Sequence, residues 1–278
     1  MSGTRKQPPG SAELRQAFMR QPTAFCPGCG HGIFMNAFLR AAAKAELDFD
    51  RTVFVSGIGC GAWVPSPHFR ADTLHVTHGR AIAYATGVKL ARPELDVIVI
   101  SGDGDIANIG GNHLIHAARR DMPIKVFCLN NWLFGMTGGQ VSSTTPHTAH
   151  TITTPAGNPE RGFNLVNLVR GAGAHYVARW PVARPQRLQR GIVNALRQPG
   201  FAFVEVMSTC PTHFGRANSD LWRETLGDDA VDTQTVPWQM LQWQEQSTIE
   251  RGKAGHLDQA HLAGKITIGE WIVEETEE

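Results

Sequence analysis

Four short, almost continuously apolar runs are the clearest pattern along this chain. Runs of this kind, rich in β-branched residues, are typical of strands that are buried on both faces of a parallel sheet. Segments with apolar residues at helical spacing lie between and around them. The predicted strands are Thr52–Gly57, Asp96–Ser101, Ile124–Asn130 and Phe201–Met207, and the predicted helices are Gly32–Ala45, Gly79–Leu90, Asn112–Arg120, Asn164–Val169 and Gln186–Leu196. This alternation predicts an α/β fold with a doubly wound, mainly parallel sheet and helices on both faces.

The same pattern divides the chain into three parts. Residues 1–21 lack the apolar core of a signal peptide, and we expect a flexible leader. Residues 22–216 carry the alternating strands and helices, which predicts one α/β domain. Residues 217–278 are expected to form a C-terminal arm with an apolar stretch at 236–243 and a possible last strand at 266–275. We predict that this arm contacts another subunit, while an arm packed on its own domain stays an alternative.

Composition excludes several classes of partner. The 26 Lys and Arg residues balance 25 Asp and Glu residues, so nothing favours nucleic acid or a lipid surface. No apolar run approaches the roughly 20 residues that are needed to cross a membrane. The odd count of five cysteines argues against a disulfide framework and for reduced thiols, which predicts a cytoplasmic protein.

Four of the five cysteines are flanked by Gly or Pro, which places them on turns. Cys26 and Cys29 form a C-x-x-C pair in CPGCGH, Cys60 lies in GIGCG, and Cys210 lies in TCP. Thiolates on turns can converge on zinc or on an iron–sulfur cluster. Structural zinc sites usually bring two local pairs, and only one pair is local here, so the cluster is favoured over zinc or a thioredoxin-like redox pair. Cys128 lies within a predicted strand and is expected in the core.

Polar residues follow two of the predicted strands at the point where each strand ends. Asp103 stands between Gly102 and Gly104, and Asn130-Asn131 ends the next strand. Ligands of open α/β sheets bind beyond the carboxyl ends of the strands. One carboxylate, one amide oxygen, one backbone carbonyl, two phosphate oxygens and a water would complete the octahedral shell of Mg²⁺. These residues therefore predict a site for Mg²⁺ and a diphosphate.

The loop after Asn131 supports the diphosphate prediction. Residues 135–139, GMTGG, offer backbone N–H groups and the Thr137 hydroxyl to phosphate oxygens. A cofactor diphosphate and a metal–thiolate site in one domain indicate redox chemistry.

These motifs resemble those of a known family. GDG…NN resembles the thiamine diphosphate signature, and GDGDIANIGGNHLIHAARR…NN…GMTGGQ…TTP resembles the β subunit of 2-oxoacid:ferredoxin oxidoreductases, most of all the 2-oxoglutarate type. The resemblance covers roughly residues 22–216, where CPGCGH, HGRA, GDGD, GMTGGQ and TCPT follow in the family's order. The chain departs from the family at Phe134, where Tyr is usual, and at Ser143, where Pro is usual.

The resemblance implies roles for three groups of residues. Mg²⁺ would be held by Asp103, Asn131 and the backbone carbonyl of Leu133. The residues that would contact thiamine diphosphate are Gly30, Gly61, Gly102, Asp103, Gly104, Asp105, Asn131, Gly135, Met136 and Thr137. One [4Fe–4S] cluster close to the thiamine would be bound by Cys26, Cys29, Cys60 and Cys210.

Three residues are candidates for catalysis. His31 directly follows CPGCG and His78 opens the predicted HGRA helix, so both are well placed to face the thiazolium ring or the substrate. A histidine can donate a proton or pair with a substrate carboxylate near neutral pH. Asp105, the second aspartate of GDGD, is the third candidate.

The resemblance implies an oxidoreductase that decarboxylates 2-oxoglutarate oxidatively and forms succinyl-CoA and CO₂ from coenzyme A. Electrons would pass through the [4Fe–4S] cluster to ferredoxin. Thiamine enzymes need a glutamate from a pyrimidine-binding domain, which this family carries on a separate α subunit. We therefore expect activity only in an αβ heterodimer or an (αβ)₂ heterotetramer. The alternatives are a pyruvate or other 2-oxoacid oxidoreductase, a non-redox thiamine decarboxylase or carboligase, and an iron–sulfur carrier or scaffold with a vestigial nucleotide fold.

Overall fold

The computed structural model of the protein describes residues 22–220, 236–251 and 265–272. The predicted leader lies outside these residues, as does much of the predicted C-terminal arm. Within them, each predicted strand and helix is present with bounds that agree to within two residues. None of the helices in the described ranges is both long and apolar enough to span a membrane.

In the part of the chain that the structure describes, ten strands form two sheets. The strands are β1 Thr52–Ser56, β2 Asp72–His75, β3 Asp96–Gly102, β4 Lys125–Asn130, β5 Leu133–Phe134, β6 Gln140–Val141, β7 Tyr176–Pro181, β8 Ala202–Met207, β9 Thr248–Glu250 and β10 Ile266–Ile272. Eight of them form the main sheet in the order β2-β1-β3-β4-β8-β7-β10-β9, and β5 and β6 form a separate antiparallel hairpin. Every pair in the main sheet is parallel except β7 and β10. The predicted mainly parallel sheet is confirmed.

Six helices lie within the described ranges, and the first five of them pack on the two faces of the main sheet. They are α1 Gly30–Lys44, α2 Ala81–Ala91, α3 Gly111–Arg119, α4 Leu165–Gly171, α5 Pro185–Leu196 and α6 Val236–Ser247. Ile98 and Ile100 of β3 join the core beneath α1 and α5, whereas Val97 and Val99 join the core beneath α2, α3 and α4. Because both faces of β3 are buried, its sequence is apolar at every one of these positions.

The C-terminal residues complete the main sheet. The possible last strand is present as β10, which pairs with β7 and so packs on the chain's own α/β domain. The contact with another subunit that we expect of residues 217–278 stays a prediction. Strand β7 itself was missing from the sequence prediction, because Arg179 interrupts its apolar run.

A buried polar network explains how the sheet accommodates Arg179. Its Nε lies 2.7 Å from Glu205 Oε2 in β8, and both side chains are at most 3% exposed. Arg179 also donates to the Thr267 carbonyl in β10 at 3.2 Å and to Asn164 Oδ1 at 2.7 Å. The second carboxylate oxygen of Glu205 accepts from Asn130 Nδ2 at 2.8 Å. The charges of Arg179 and Glu205 are tolerated inside the domain because the two side chains pair with each other and form further hydrogen bonds.

The carboxyl ends of the central strands meet at one edge of the main sheet. A π-helical turn, Gly104–Ile109, follows β3 there, and a second one, Pro211–Gly215, follows β8. Between them, the chain leaves β4 through Trp132, whose φ of 67° is left-handed. π-Helical turns and left-handed backbone at bulky residues are rare overall, but they are concentrated at functional sites. Their presence here indicates that the functional site lies at this edge.

Candidate active site

A narrow cleft opens at the carboxyl edge of β1, β3 and β4. Its volume is about 30 Å³, which is roughly the share of one water molecule in the liquid. Its lining comprises His31, Ile58, Cys60, Gly61, His78, Gly102, Asp103, Gly104, Asp105, Asn131, Leu133, Phe134 and Gly135. The cleft thus brings together eleven of the residues that the sequence assigned to the site, including members of the metal, cofactor and catalytic groups.

Asp103 lies at the bottom of this cleft and is 1% exposed. Its Oδ2 accepts hydrogen bonds from Ser142 Oγ and Thr144 Oγ1, both at 2.6 Å, and its Oδ1 accepts from the Asn131 backbone at 3.3 Å. Burial raises the pKa of Asp103 to about 6, although these hydrogen bonds lower it. A buried carboxylate of this kind gains from a bound cation. The prediction missed Ser142 and Thr144, for which the hydroxyl-rich SSTTP segment was the available signal.

Three oxygens converge where a cation could bind. One terminal atom of the Asn131 amide lies 3.1 Å from Asp103 Oδ1 and 2.8 Å from the Leu133 carbonyl oxygen. If this atom is nitrogen, it donates to both oxygens. If it is oxygen, it faces only acceptors, and a cation is needed to hold the three together. A carboxylate, an amide oxygen and a backbone carbonyl suit Mg²⁺, so these residues fit the predicted metal.

Asp105 and His78 form a pair at the side of the cleft. Asp105 Oδ1 accepts from His78 Nδ1 at 2.6 Å, from the Gly79 backbone at 2.7 Å and from the Ile58 backbone at 3.2 Å. Because the carboxylate accepts, Nδ1 of His78 carries the proton, and Nε2 is the nitrogen that is free for other contacts. Asp105 Oδ2 is buried without a hydrogen-bond partner among the described residues. The pair fixes both the tautomer and the ring orientation of His78.

His31 also lines the cleft, from the start of α1. Its side chain is 1% exposed, and Nδ1 lies 2.8 Å from Ser208 Oγ at the end of β8. Burial lowers the pKa of His31 to about 4, so the ring is neutral at neutral pH. The preceding Gly30 lies outside the cleft lining, and its backbone donates to the Thr209 carbonyl at 3.1 Å. Gly30 therefore anchors α1 to β8 in this structure, and its contact with the cofactor stays a prediction.

Two glycines allow the cleft walls to approach each other. A Cβ atom at Gly61 would lie 2.7 Å from the Gly102 backbone nitrogen. A Cβ atom at Gly104 would lie 2.4 Å from Cε1 of Phe134. Both distances are shorter than Cβ atoms tolerate, so any larger residue would push the loops apart. The backbone at Gly102, by contrast, is open, with the Leu129 carbonyl 3.9 Å away from such a Cβ.

The GMTGG loop contributes only its first residue to the cleft. Gly135 lines it, whereas Met136 is 43% exposed and lies outside the lining. Thr137 is exposed as well, and its hydroxyl donates to Gln140 Oε1 at 2.6 Å. The roles of Met136 and Thr137 toward a diphosphate stay predictions, because this structure points neither into the cleft.

The four turn cysteines are free thiols that influence one another. Burial raises the pKa of Cys29 to about 12, and negative charge on Cys210, Cys60 and Cys26 acts in the same direction. Burial likewise raises the pKa of Cys60 to about 11, and negative charge on Cys210 and Cys26 raises it further. Thiolates in this arrangement need a cation to become stable at neutral pH. Within the described ranges, no three His, Cys, Asp or Glu side chains are close enough to form a metal site, so the cluster stays a prediction.

One of the four cysteines lies directly beside the Mg²⁺ candidate. Cys60 lines the cleft, whereas Cys26 and Cys29 line a separate groove. A Cβ atom at Gly135 would lie 3.4 Å from the Asn131 side chain and 3.7 Å from Cys60 Sγ. Gly135 thus lies between Cys60 and the Asn131 side chain. Cys128, in contrast, is fully buried among core residues of β4, as predicted.

Comparison with known proteins identifies the family. Residues 57–206 match the family model described as thiamine pyrophosphate enzyme, C-terminal TPP binding domain. Over 252 residues, the chain is 46% identical to 2-oxoglutarate synthase subunit KorB of Methanothermobacter marburgensis, covering 91% of this chain and 83% of that relative. The chain belongs to the β subunits of 2-oxoacid:ferredoxin oxidoreductases. Members of this β-subunit family are parts of oxidoreductases, so the predicted enzyme class and the resemblance are both confirmed.

Two further members extend the comparison. The 2-oxoacid:ferredoxin oxidoreductase subunit beta of Saccharolobus solfataricus is 38% identical over 68% of this chain and 62% of its own length. A solved 2-oxoglutarate:ferredoxin oxidoreductase from Magnetococcus marinus, with 2-oxoglutarate, coenzyme A and succinyl-CoA bound, superimposes with a TM-score of 0.79 at 30% identity. That match covers 95% of this chain and 86% of the solved chain.

Proposed function

We propose that this chain is the β subunit of a 2-oxoglutarate:ferredoxin oxidoreductase. The enzyme would convert 2-oxoglutarate and coenzyme A into succinyl-CoA and CO₂ and would pass the released electrons to ferredoxin. The observation that carries the proposal is the convergence of Asp103, Asn131 and the Leu133 carbonyl beside Cys60 at one edge of the sheet. The 46% identity to a 2-oxoglutarate synthase subunit supports the choice of substrate.

The three converging oxygens would hold Mg²⁺, and Mg²⁺ would hold the diphosphate of thiamine. When bound, thiamine stabilises the negative charge that develops as CO₂ leaves a 2-oxoacid. The protein's part is to fix the diphosphate, to exclude water and to place charged groups. Gly102 leaves the backbone beside Asp103 accessible to the diphosphate, since the only atom near a Cβ there would be the Leu129 carbonyl oxygen, 3.9 Å away.

Cys26, Cys29, Cys60 and Cys210 would bind a [4Fe–4S] cluster. Such clusters reach potentials that are low enough to accept electrons from a 2-oxoacid oxidation and to reduce ferredoxin. The contact of Cys60 with the cleft supports a short distance between the cofactor and the cluster. Some members of the family are named for 2-oxoacids in general, so pyruvate or another 2-oxoacid is the alternative substrate.

Within this site, His78 would handle a proton or bind a substrate carboxylate. Asp105 holds its Nδ1, and the side chain of His78 is 31% exposed toward the opening. A carboxylate that accepts from Nδ1 in this way fixes the ring and leaves Nε2 available to the substrate.

Substitution His78→Gln is therefore expected to lower 2-oxoacid-dependent ferredoxin reduction by about 100-fold, because general acid–base groups contribute this much or more. Thiamine and iron contents of the purified complex should stay at the wild-type level. His116→Gln, on the exposed face of α3, serves as the control and should change neither quantity. Wild-type turnover of His78→Gln would remove His78 from the mechanism.

A partner subunit is expected to cover the cleft. The cleft is narrow, at about 30 Å³, and a second subunit would supply the other wall of the thiamine site. Large apolar side chains are exposed nearby, namely Ile109, Met136 and Ile152 at 43%, 43% and 67%. Exposed apolar residues around a functional opening are typical of protein interfaces. We assign the missing wall and the activating glutamate to an α subunit in an αβ or (αβ)₂ complex.

The proposed function is tested by expressing the chain with and without a candidate α subunit. The isolated chain should show no 2-oxoacid-dependent reduction of ferredoxin or viologen in the presence of coenzyme A. Coexpression should restore it, with 2-oxoglutarate preferred over pyruvate. Full turnover by the isolated chain would contradict the shared site, and a preference for pyruvate would establish the alternative substrate.

A further inference from the structure

The strained turn between β4 and β5 carries two of the three Mg²⁺ oxygens. Asn131 and Leu133 flank Trp132, whose φ of 67° is unfavourable for a bulky L-residue. Such a backbone conformation persists only if its surroundings impose it. The orientation of both metal-binding oxygens therefore depends on whatever holds Trp132 in place.

A chain of buried hydrogen bonds provides this support from below. The Trp132 backbone N–H donates to Asn130 Oδ1 at 3.0 Å. The amide of Asn130 is fixed in turn, because its Nδ2 donates to Glu205 Oε1 at 2.8 Å. Glu205 is held by Arg179, and Arg179 by Asn164 and the β10 backbone. Each of the first four groups is 1–5% exposed, so water cannot replace these contacts.

Packing supports the same turn from above. The Trp132 ring lies 5.0 Å from the ring of Phe214 and 5.5 Å from that of Trp243 in α6. The Trp132 carbonyl accepts a hydrogen bond from Thr145 Oγ1. These contacts hold the side chain and the carbonyl, but only Asn130 holds the N–H among the described hydrogen bonds.

We propose that Arg179, Glu205 and Asn130 form a positioning network that sets the Mg²⁺ affinity of the site. Glu205 accepts from Asn130, which orients the Asn130 side-chain carbonyl toward Trp132 and so keeps the Asn131 and Leu133 oxygens converged. None of the three network side chains lines the cleft. The inference rests on the proposed function in taking Mg²⁺ and thiamine diphosphate as the ligands.

Two double variants separate positioning from mere stability. Arg179→Met/Glu205→Gln and Arg179→Met/Glu205→Leu both remove the buried ion pair, which avoids leaving one charge unpaired. Only the first keeps an oxygen that can accept from Asn130 Nδ2. Both double variants therefore lack the two charges, and they differ only in whether residue 205 can accept a hydrogen bond from Asn130.

The measurement is calorimetric titration of Mg²⁺ into the cofactor-free αβ complex with excess thiamine diphosphate. The Leu double variant should raise the Kd of Mg²⁺ about tenfold or more, as is typical for lost supports of metal ligands. The Gln double variant should stay within about threefold of wild type. At saturating Mg²⁺ both should regain the wild-type kcat, since only the affinity has changed.

Equal Mg²⁺ Kd values for the Leu double variant and wild type would overturn the proposal. If neither double variant folds, Asn130→Ala cuts the same network at its other end, and a wild-type Kd there would overturn the proposal equally. Wild-type complex that binds thiamine diphosphate without any Mg²⁺ dependence would instead refute the Mg²⁺ site of the proposed function, and the positioning network with it.

Discussion

Asp103→Asn is expected to prevent Mg²⁺-dependent binding of thiamine diphosphate and, at neutral pH, to stabilise the cofactor-free protein. The first effect follows because Asp103 is the only side-chain carboxylate among the three oxygens that would hold the metal. Loss of its charge is expected to raise the Kd of Mg²⁺ by at least about 100-fold, in line with the cost of removing one partner from a buried charge pair.

The second effect follows from the pKa of Asp103. Burial raises this pKa from 3.8 to about 6, so in that interval the folded protein binds a proton that the unfolded chain lacks. The stability of the cofactor-free protein therefore falls as the pH rises from about 4 to 6, and above pH 6 the full penalty of about 3 kcal/mol applies. Asparagine carries no charge and escapes this penalty.

Thermal unfolding of the cofactor-free proteins between pH 4 and 8 measures the difference. Asp103→Asn should exceed wild type by up to about 3 kcal/mol above pH 6, and the two should converge near pH 4. In wild type, Mg²⁺ affinity should decline below about pH 6, since the metal needs the ionised carboxylate. Asp96→Asn, at the exposed start of the same strand, is the matched control and should change neither property. An Asp103→Asn protein that keeps its thiamine would refute the metal role.

Serine at any one of Cys26, Cys29, Cys60 and Cys210 is expected to remove the visible absorption and most of the iron of the anaerobically purified complex. Serine is a poor ligand for iron, and four thiolates are needed for a complete [4Fe–4S] site. Ferredoxin reduction should fall by at least about 100-fold. Thiamine content should persist in Cys210→Ser, because Cys210 does not line the cleft.

Cys128→Ser is the matched control for this series. Cys128 is buried in β4, and it should keep the iron and the absorption spectrum while losing some thermal stability. Cys210 is the most demanding case, since it is the ligand farthest along the sequence from the others. An unchanged iron content in Cys210→Ser would exclude Cys210 from the cluster. Zinc in place of iron in the wild-type protein would establish the alternative of a zinc site.

The sequence predicts the strands that are buried on both faces of the sheet. Strand β3 is apolar throughout because both of its faces are covered, and the same holds for β4 and β8. Strand β7 was not predictable from its own residues, because Arg179 becomes acceptable only through Glu205, 26 residues away. The position of β10 between β7 and β9 likewise depends on pairing that no local pattern reports.

The site was predictable for the residues that directly follow a strand. Asp103 and Asn131 could be found because each directly follows a strand, and strand ends of a parallel sheet meet at one edge. Ser142 and Thr144, which hold Asp103, come from the segment after the β5–β6 hairpin, whose direction the sequence does not encode in any periodicity. Asn130 stands beside Asn131 in the sequence, but its side chain lies outside the cleft lining and donates to Glu205 within the domain.

The antiparallel strand β10 has a consequence for the order in which the protein matures. A chain that has left the ribosome only as far as β8 already possesses all the strands that carry the site. Arg179 then still lacks its acceptor at Thr267, and Trp132 lacks the ring of Trp243. Domains generally fold as synthesis proceeds from the N-terminus, so the turn at Trp132 is expected to gain its last supports late in biogenesis. We expect the proposed cofactor to load only after residues from the far end of the described chain have docked.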